Sequence, residues 1–320
     1  MNYTLPDRQT LPLIVEPEGE DRHVLGAEIL ESFLFENRGA LLARLRESGA
    51  LLFRGFAPRS VPALARFAEA FAGSPLADYT GGASPRISLG GGVYTSTEYP
   101  KALSLSLHNE LSYTVRSPEY LFFYCETPAT EGGETPIADS RAILKALDPA
   151  IVRRFKTRKI RYERRLENAP DSEYSWQAAF ETNDARIVED FCADCDIAYR
   201  WNDDGSLRLC EIRPATAKHP TTGEEVWFNQ AEGFHPSSLG DEAYQAALAA
   251  NSTDALRLNA YFGDGGDLEI ADLEHIRAVT REQMVLVSWQ RGDILVLDNV
   301  LACHGRMPFS GPRKIFLAMA

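Results

Sequence analysis

The segment LSLSLHNEL, residues 103–111, holds an imidazole and a carboxylate two positions apart, His108 and Glu110. In an extended strand successive side chains point to opposite faces. Ser104, Ser106, His108 and Glu110 therefore share one face, and Leu103, Leu105, Leu107 and Asn109 share the other. A histidine and a glutamate side by side on a small polar face can aim at one cation. The pair alone says little, because six histidines among 46 acidic residues in 320 positions produce about 0.9 such pairs by chance. An amphipathic strand with its polar face in water fits the same pattern.

A second imidazole, His304, follows the apolar run DILVLDNVLAC. If that run stays extended, Asp298, Ala302 and His304 share a parity, and its continuous apolar character implies burial on both faces. Taken alone, His304 reads as a hydrogen-bonded core histidine. Taken with His108 and Glu110 it completes a set of two imidazoles and one carboxylate, the facial triad of non-haem iron(II) sites, which leaves three cis positions open. A structural zinc site would be closed by a fourth protein ligand, and no nearby residue supplies one.

The elements that must position these residues can be read from periodicity. RGALLARLRES has helical spacing and ends at Gly49, and ALLFRGF follows as a buried strand. Ser60 caps a further helix, VPALARFAEAFAG. After the glycine-rich LGGGVY come the 103–111 strand, a strand EYLFFYCE, the turn region TPATEGGETPIADS and a helix starting near Arg141. Residues from about 148 to 258 mix helical and short extended patterns, with EEVWFNQ the most strand-like. DEAYQAALAA and LEHIRAVTREQM read as helices, and WQRGDILVLDNVLACHG and RKIFLAMA as β-rich ends. No repeat or linker divides the chain. The expected fold is one α+β domain over 1–320 with a mainly β core, an antiparallel barrel or jelly roll carrying N-terminal helices and a helical insertion over roughly 142–260.

A hydrophobic fraction of 44% and a charged fraction of 25% are those of a soluble globular protein. The net charge of −13 argues against general attraction to nucleic acid or anionic membrane. No apolar run approaches the ~20 residues that cross a bilayer. The start MNYTLPDRQT lacks the pattern of a signal peptide, so a cytoplasmic protein is expected. Cys192 and Cys195 form an isolated CxxC among five cysteines, which reads as structural because two thiols do not complete a zinc site.

The stretches SLHNEL, EGGETPIADSR and DNVLACHGRMPFSGPRKI resemble, in order and spacing, the iron(II)/2-oxoglutarate-dependent dioxygenases of the taurine-dioxygenase superfamily. Within it they are most similar to the branch that contains the syringomycin-biosynthesis hydroxylase. The resemblance runs from about Gly49 to the C-terminus and implies a double-stranded β-helix with Fe(II) at its open mouth. By the same resemblance His108, Glu110 and His304 are the metal ligands, Thr135 donates a hydrogen bond to 2-oxoglutarate, and Arg313 pairs with that cosubstrate's distal carboxylate. A hydroxyl donor and an arginine fork are suited to those tasks, although a lone arginine is by default a surface residue. Halogenases of the superfamily lack the carboxylate ligand, so Glu110 favours oxygen transfer.

The implied reaction consumes O₂ and 2-oxoglutarate, releases succinate and CO₂, and hydroxylates an unactivated carbon of an amino acid, free or tethered to a carrier protein, in secondary metabolism. Desaturation, cyclisation and epoxidation stay open, as does a cupin-like binding protein without turnover. Ser104 and Asn229 are candidates to line the substrate pocket. The run Arg153–Arg165, RRFKTRKIRYERR, holds eight basic residues and one acid. It is either a solvated face or a docking patch for an acidic acyl or peptidyl carrier protein.

Overall fold

The apolar runs ALLF, YLFFYC and ILVL become strands Ala50–Phe53, Tyr120–Thr127 and Ile294–Asp298, buried over those runs. They occur in a computed structural model that describes residues 1–6, 9–18, 27–56, 60–96, 99–240, 244 and 256–320. With Lys314–Met319 they form the middle of an eight-stranded sheet, and its inner pairings 50–53 to 294–298, 294–298 to 120–127 and 120–127 to 314–319 are all antiparallel. Both faces of this sheet are covered, which is why its strands lack alternation. Leu51, Phe53, Phe122, Tyr124, Ile294 and Val296 face the N-terminal helices Ala27–Ser48 and Val61–Ala72. The helix limits follow the expected signals: Ser60 accepts the Ala63 N–H at the start of the second helix and Gly73 closes it.

The opposite face, with Leu52, Leu121, Phe123, Leu295 and Leu317, shares a core with Ile137, Ala138, Ala302 and Cys303 of a second sheet. That sheet is antiparallel throughout, in the order Val285–Val287, Thr135–Asp139, Ala302–Arg306, Leu105–His108. Each large apolar side chain buried between the sheets contributes about 1.5–3 kcal/mol. The space between them is therefore a packed core.

Three sequence expectations change here. The strand expected over residues 103–111 is only Leu105–His108; Asn109 leaves the ladder and Leu111 turns the chain at φ 53°. Glu110 is thus not carried by strand parity. Asp298 and His304 do not share a strand either, because the chain turns after Asp298 and crosses to the other sheet. Asp298 instead pairs with His219, 2.9 Å away.

The insertion is also not simply helical. It contains helices Pro149–Arg158 and Ala185–Asp194, and also an antiparallel four-stranded sheet in the order Ala198–Trp201, Leu207–Arg213, Ile160–Leu166, Leu258–Phe262. The strand IRYERRL alternates between buried and half-buried positions, but Arg164 occupies one of the buried ones, which masks the period in sequence. Arg164 is neutralised there by buried Glu211, 2.6 Å away.

The basic run is spent in the same way. Arg154 pairs with Asp272, Lys156 with Glu225, Arg158 with Asp264, Arg161 with Glu163 and Arg165 with Asp204. The run is divided between a helix and a strand, and six of its eight cations are matched by acids, while Arg153 and Lys159 stay exposed. Cys192 and Cys195 lie buried in the small core between this sheet and its helices, and all five cysteines are free. The expected helix DEAYQAALAA lies outside the described residues apart from Tyr244. Among the described residues no helix is long and apolar enough to cross a membrane.

Candidate metal centre

His304 and His108 are register partners across the antiparallel pair 302–306 and 105–108, so the two rings meet because their strands do. The ring centroids are 4.4 Å apart. The pairing shifts between His304 and Arg306, and Gly305 lies where any Cβ would run into the Leu105 carbonyl oxygen. Only glycine allows the two strands to approach this closely.

The His108 Nδ1 lies 2.8 Å from the Ser106 carbonyl oxygen. A carbonyl can only accept, so Nδ1 carries the proton and Nε2 keeps its lone pair for a cation. His304, 5% exposed, packs against the Phe123 ring. Burial, with His108 and Arg86 adding, holds its imidazole well below the ordinary range and therefore neutral.

Glu110 completes the cluster. Its Oε2 is 3.9 Å from His108 Nε2 and 3.7 Å from His304 Nε2, and ligand atoms of the three residues lie within 4.8 Å of one another. Asparagines take over from the strand in placing it. The Glu110 N–H donates to Asn299 Oδ1 at 2.7 Å, and Asn299 Nδ2 donates to the carbonyls of Glu110 and Pro118. Asn109 Nδ2 donates to the Asn299 carbonyl, and Gln230 Nε2 to the Asn109 carbonyl. The Arg86 Nη2 lies 2.6 Å from Glu110 Oε2, with both side chains 3% exposed.

A small cavity beside the cluster is lined by His108, His304, Thr135, Arg306 and Arg313. Thr135 begins the strand next to His304's, and its hydroxyl accepts from Trp289 Nε1 at 3.0 Å. Its own proton is therefore free to be donated. Arg313 Nε donates to the Gly133 carbonyl. Gly133, at φ 73°, leaves no room for a Cβ, which would meet Ala129 at 2.8 Å and Arg313 Cδ at 3.1 Å. No carboxylate among the described residues pairs with Arg313. Burial and then the neighbouring Arg306 cation push its guanidinium down to about 10. A desolvated cation without a counter-ion, next to a free hydroxyl donor, is a seat for a carboxylate. The donor set of two imidazoles and a carboxylate suits ferrous iron.

A profile of the family described as "Taurine catabolism dioxygenase TauD, TfdA family" matches residues 19–319. The chain belongs to the TauD/TfdA dioxygenase family. It is 38% identical over 275 residues to the dapdiamide synthesis protein DdaC of Enterobacter agglomerans, covering 86% of this chain and 83% of that one. It is 33% identical over 284 residues to a clavaminate synthase-like protein of Arabidopsis thaliana, covering 86% and 82%.

Two solved structures share the TauD/TfdA fold across nearly the whole chain. PvcB from Pseudomonas aeruginosa superposes with a TM-score of 0.54 at 16% identity, over 100% of this chain and 94% of that one. An asparagine oxygenase in complex with Fe(II), hydroxyasparagine and succinate does so with 0.57 at 13% identity, over 96% and 93%. As a TauD/TfdA dioxygenase the protein uses Fe(II) and 2-oxoglutarate.

A larger cavity of about 670 Å³ opens next to His108, within the usual range for small-molecule sites. Ser104 lies on its exposed rim and Asn229 in its wall. The Asn229 side chain is held by backbone at both ends, Nδ2 donating to the Ala215 carbonyl and Oδ1 accepting from the Ala231 N–H, with a second N–H and a second lone pair left over. Asn229 thus shapes the wall through backbone bonds. Sequence reasoning missed Arg86, Asn299, Trp289 and Gln230. Asn299 sits inside a motif already singled out, whereas Arg86, in ASPRISL, carries no pattern signal.

Proposed function

We propose that His108, Glu110 and His304 ligate Fe(II), that Thr135 and Arg313 hold the distal carboxylate of 2-oxoglutarate, and that the enzyme hydroxylates an unactivated carbon of a free, amino-acid-like small molecule. We read the two facing sheets as a double-stranded β-helix with this centre at its open end. The observation that carries the reading is the half-buried Arg313, without a carboxylate partner among the described residues, with the Thr135 hydroxyl, in the small cavity that also contains His108 and His304. A binding protein without turnover would give no reason to maintain that desolvated cation.

When bound, iron and 2-oxoglutarate supply O₂ activation coupled to release of succinate and CO₂. The protein's own residues do the rest. The His108 Nδ1–H bond to the Ser106 carbonyl turns its Nε2 toward the cation position, the neutrality of His304 leaves one of its ring nitrogens unprotonated, and the asparagine pair fixes Glu110. Phe123 and Ile315 help keep the small cavity dry. The presence of Glu110 supports oxygen transfer over halogenation. Two similarities support an amino-acid-like substrate: the relative named for dapdiamide synthesis and the fold shared with an asparagine oxygenase. Ion pairing of six of the eight cations in the basic run supports a free substrate over a carrier-borne one.

Under argon, Fe(II) with 2-oxoglutarate is expected to give a weak visible charge-transfer band that the Glu110→Ala, His304→Ala double variant lacks. Persistence of the band in that variant would refute the ligand set. In air, O₂ uptake should match succinate release, and a screen of amino acids by mass spectrometry should find a product heavier by one oxygen.

A further inference from the structure

The stretch KHPTTGE, residues 218–224, is a turn signal that contains a histidine the proposed reaction does not use. It joins the paired strands Thr216–Lys218 and Glu225–Trp227. The His219 N–H donates to the Glu224 carbonyl and the Gly223 N–H to the His219 carbonyl, with Gly223 at φ 73°. Connections of this kind run over the surface, yet His219 is only 1% exposed.

Its ring has a fixed task inside the protein. Nδ1 accepts the N–H groups of Thr221 and Thr222, at 3.2 and 3.0 Å, so the ring proton sits on Nε2. That Nε2–H donates to Asp298 Oδ2 at 2.9 Å. Asp298 is fully buried, and burial raises its carboxyl above the ordinary range against the opposing pull of His219 and of two backbone N–H groups. Among the described residues His219 is the one side chain that bonds this carboxylate.

The other oxygen organises a turn. Asp298 Oδ1 accepts the N–H groups of Val300 and Leu301, both at 3.1 Å, which fixes the backbone on either side of Asn299. Asn299 in turn grips the N–H and carbonyl of Glu110 with its side chain. The same connection reaches the cluster a second time, because Gln230 Nε2 donates to the Asn109 carbonyl at 2.8 Å. The segment from His219 to Gln230 therefore holds both asparagines that place the carboxylate, one through Asp298 and one directly.

Resting on Glu110 as an iron ligand, we infer that His219 is a positioning residue of the metal centre: its Nε2–H, through Asp298 and the turn that follows, keeps Asn299 where it sets Glu110. His219 touches neither metal nor substrate. A buried carboxylate deprived of one of its three donors is costly, and it either takes up a proton or draws the turn toward other partners. Both responses loosen the hold on Glu110.

The test titrates the full-length protein calorimetrically with Fe(II) alone under argon and reads stability from urea midpoints. His219→Phe keeps the bulk of the ring and removes both nitrogens, and Fe(II) affinity should fall about tenfold, the effect of one hydrogen bond to a charged group. His219→Gln returns an N–H near the Nε2 position and should stay within about threefold of wild type. Val188→Ala, in the small core of the insertion, lowers stability away from the centre and should leave Fe(II) affinity unchanged.

Wild-type affinity in His219→Phe, with only the urea midpoint lowered, would overturn the assignment and leave His219 a residue of the fold alone. Equal losses of affinity in His219→Phe and His219→Gln, or in His219→Phe and Val188→Ala, would overturn it too. Should His219→Phe not fold, Asp298→Asn carries the comparison, because it sets an amide N–H against the His219 Nε2–H while its oxygen still accepts from Val300 and Leu301. A severalfold loss of affinity then supports the assignment, and an unchanged affinity removes it. Failure of wild type to bind Fe(II), or undiminished binding in Glu110→Ala, would sink the centre itself and is seen without any His219 variant.

Discussion

His108 and His304 are held by strand register, whereas the wall of the large cavity is assembled from the 79–86 loop, the short helix Ala231–Phe234 and the helix Ile270–Glu282. The first region is over-determined: two backbone ladders, a glycine that permits their approach, and an asparagine pair all agree on where three side chains go. The second depends on individual long-range contacts, such as Arg277 Nε to Glu232 at 2.7 Å and its Nη2 to Ser237. Chemistry that must be constant is placed on ladders, and contacts that choose a substrate are placed on connections, where change disturbs little else.

Four substitutions test this division, in order of expected effect. Arg313→Gln should raise the KM for 2-oxoglutarate by roughly 10- to 100-fold, the worth of hydrogen bonds to a charged group, with Fe(II) affinity unchanged. Equal losses in both would mean that the two halves of the centre are not separable.

Asn299→Ala strips partners from the Glu110 N–H and carbonyl. Fe(II) affinity should fall about 10- to 100-fold, and the urea midpoint should report a loss of about 1–3 kcal/mol. An effect on stability alone would show that Glu110 keeps its place without the asparagine.

The third prediction moves to the connection behind the wall. Burial, with the Arg277 cation adding, holds the His235 imidazole down to about 4, below its ordinary ~6.5. Between those values the unfolded chain binds a proton that the folded chain refuses, so this contribution to stability is complete above about pH 6.5 and is lost as pH falls towards 4. At pH 5.5 the loss is about 1.4 kcal/mol. Urea titrations of wild type and His235→Gln should converge on acidification, and parallel curves would show that the site does not titrate as stated. Smallest is Ser104→Ala at the exposed rim, which should change turnover by less than about twofold. A larger change would move the rim into the specificity-determining part of the wall.

The two regions were unequally legible. His108, Glu110, His304, Thr135 and Arg313 stand in short motifs; His108, His304, Thr135 and Arg313 line one small cavity, and Glu110 lies beside the two imidazoles. The reasoning from parity was right for His108 on its strand. It failed for Glu110, since a strand can end within a residue of its last useful side chain, and for Asp298, since the chain changes sheets at a turn that the apolar run conceals. Arg164 hid a strand because a charge buried with its partner looks, in sequence, like a charge in water. Ser104 and Asn229 line the large cavity. The Asn229 amide is nevertheless anchored to backbone at both ends, and hydrogen-bond partners across more than ten residues leave no trace in composition.

Sequence by itself determined the donor types, their order along the chain and the apolar strands on which two of them ride, because side-chain chemistry and the period of two are local properties. Only the tertiary structure decided that His304 faces His108, that Asn299 rather than a strand sets Glu110, and that Arg86 reaches the same carboxylate. Those facts depend on register, on a chain crossing between sheets and on a pinned loop, each of which joins residues separated by tens to hundreds of positions.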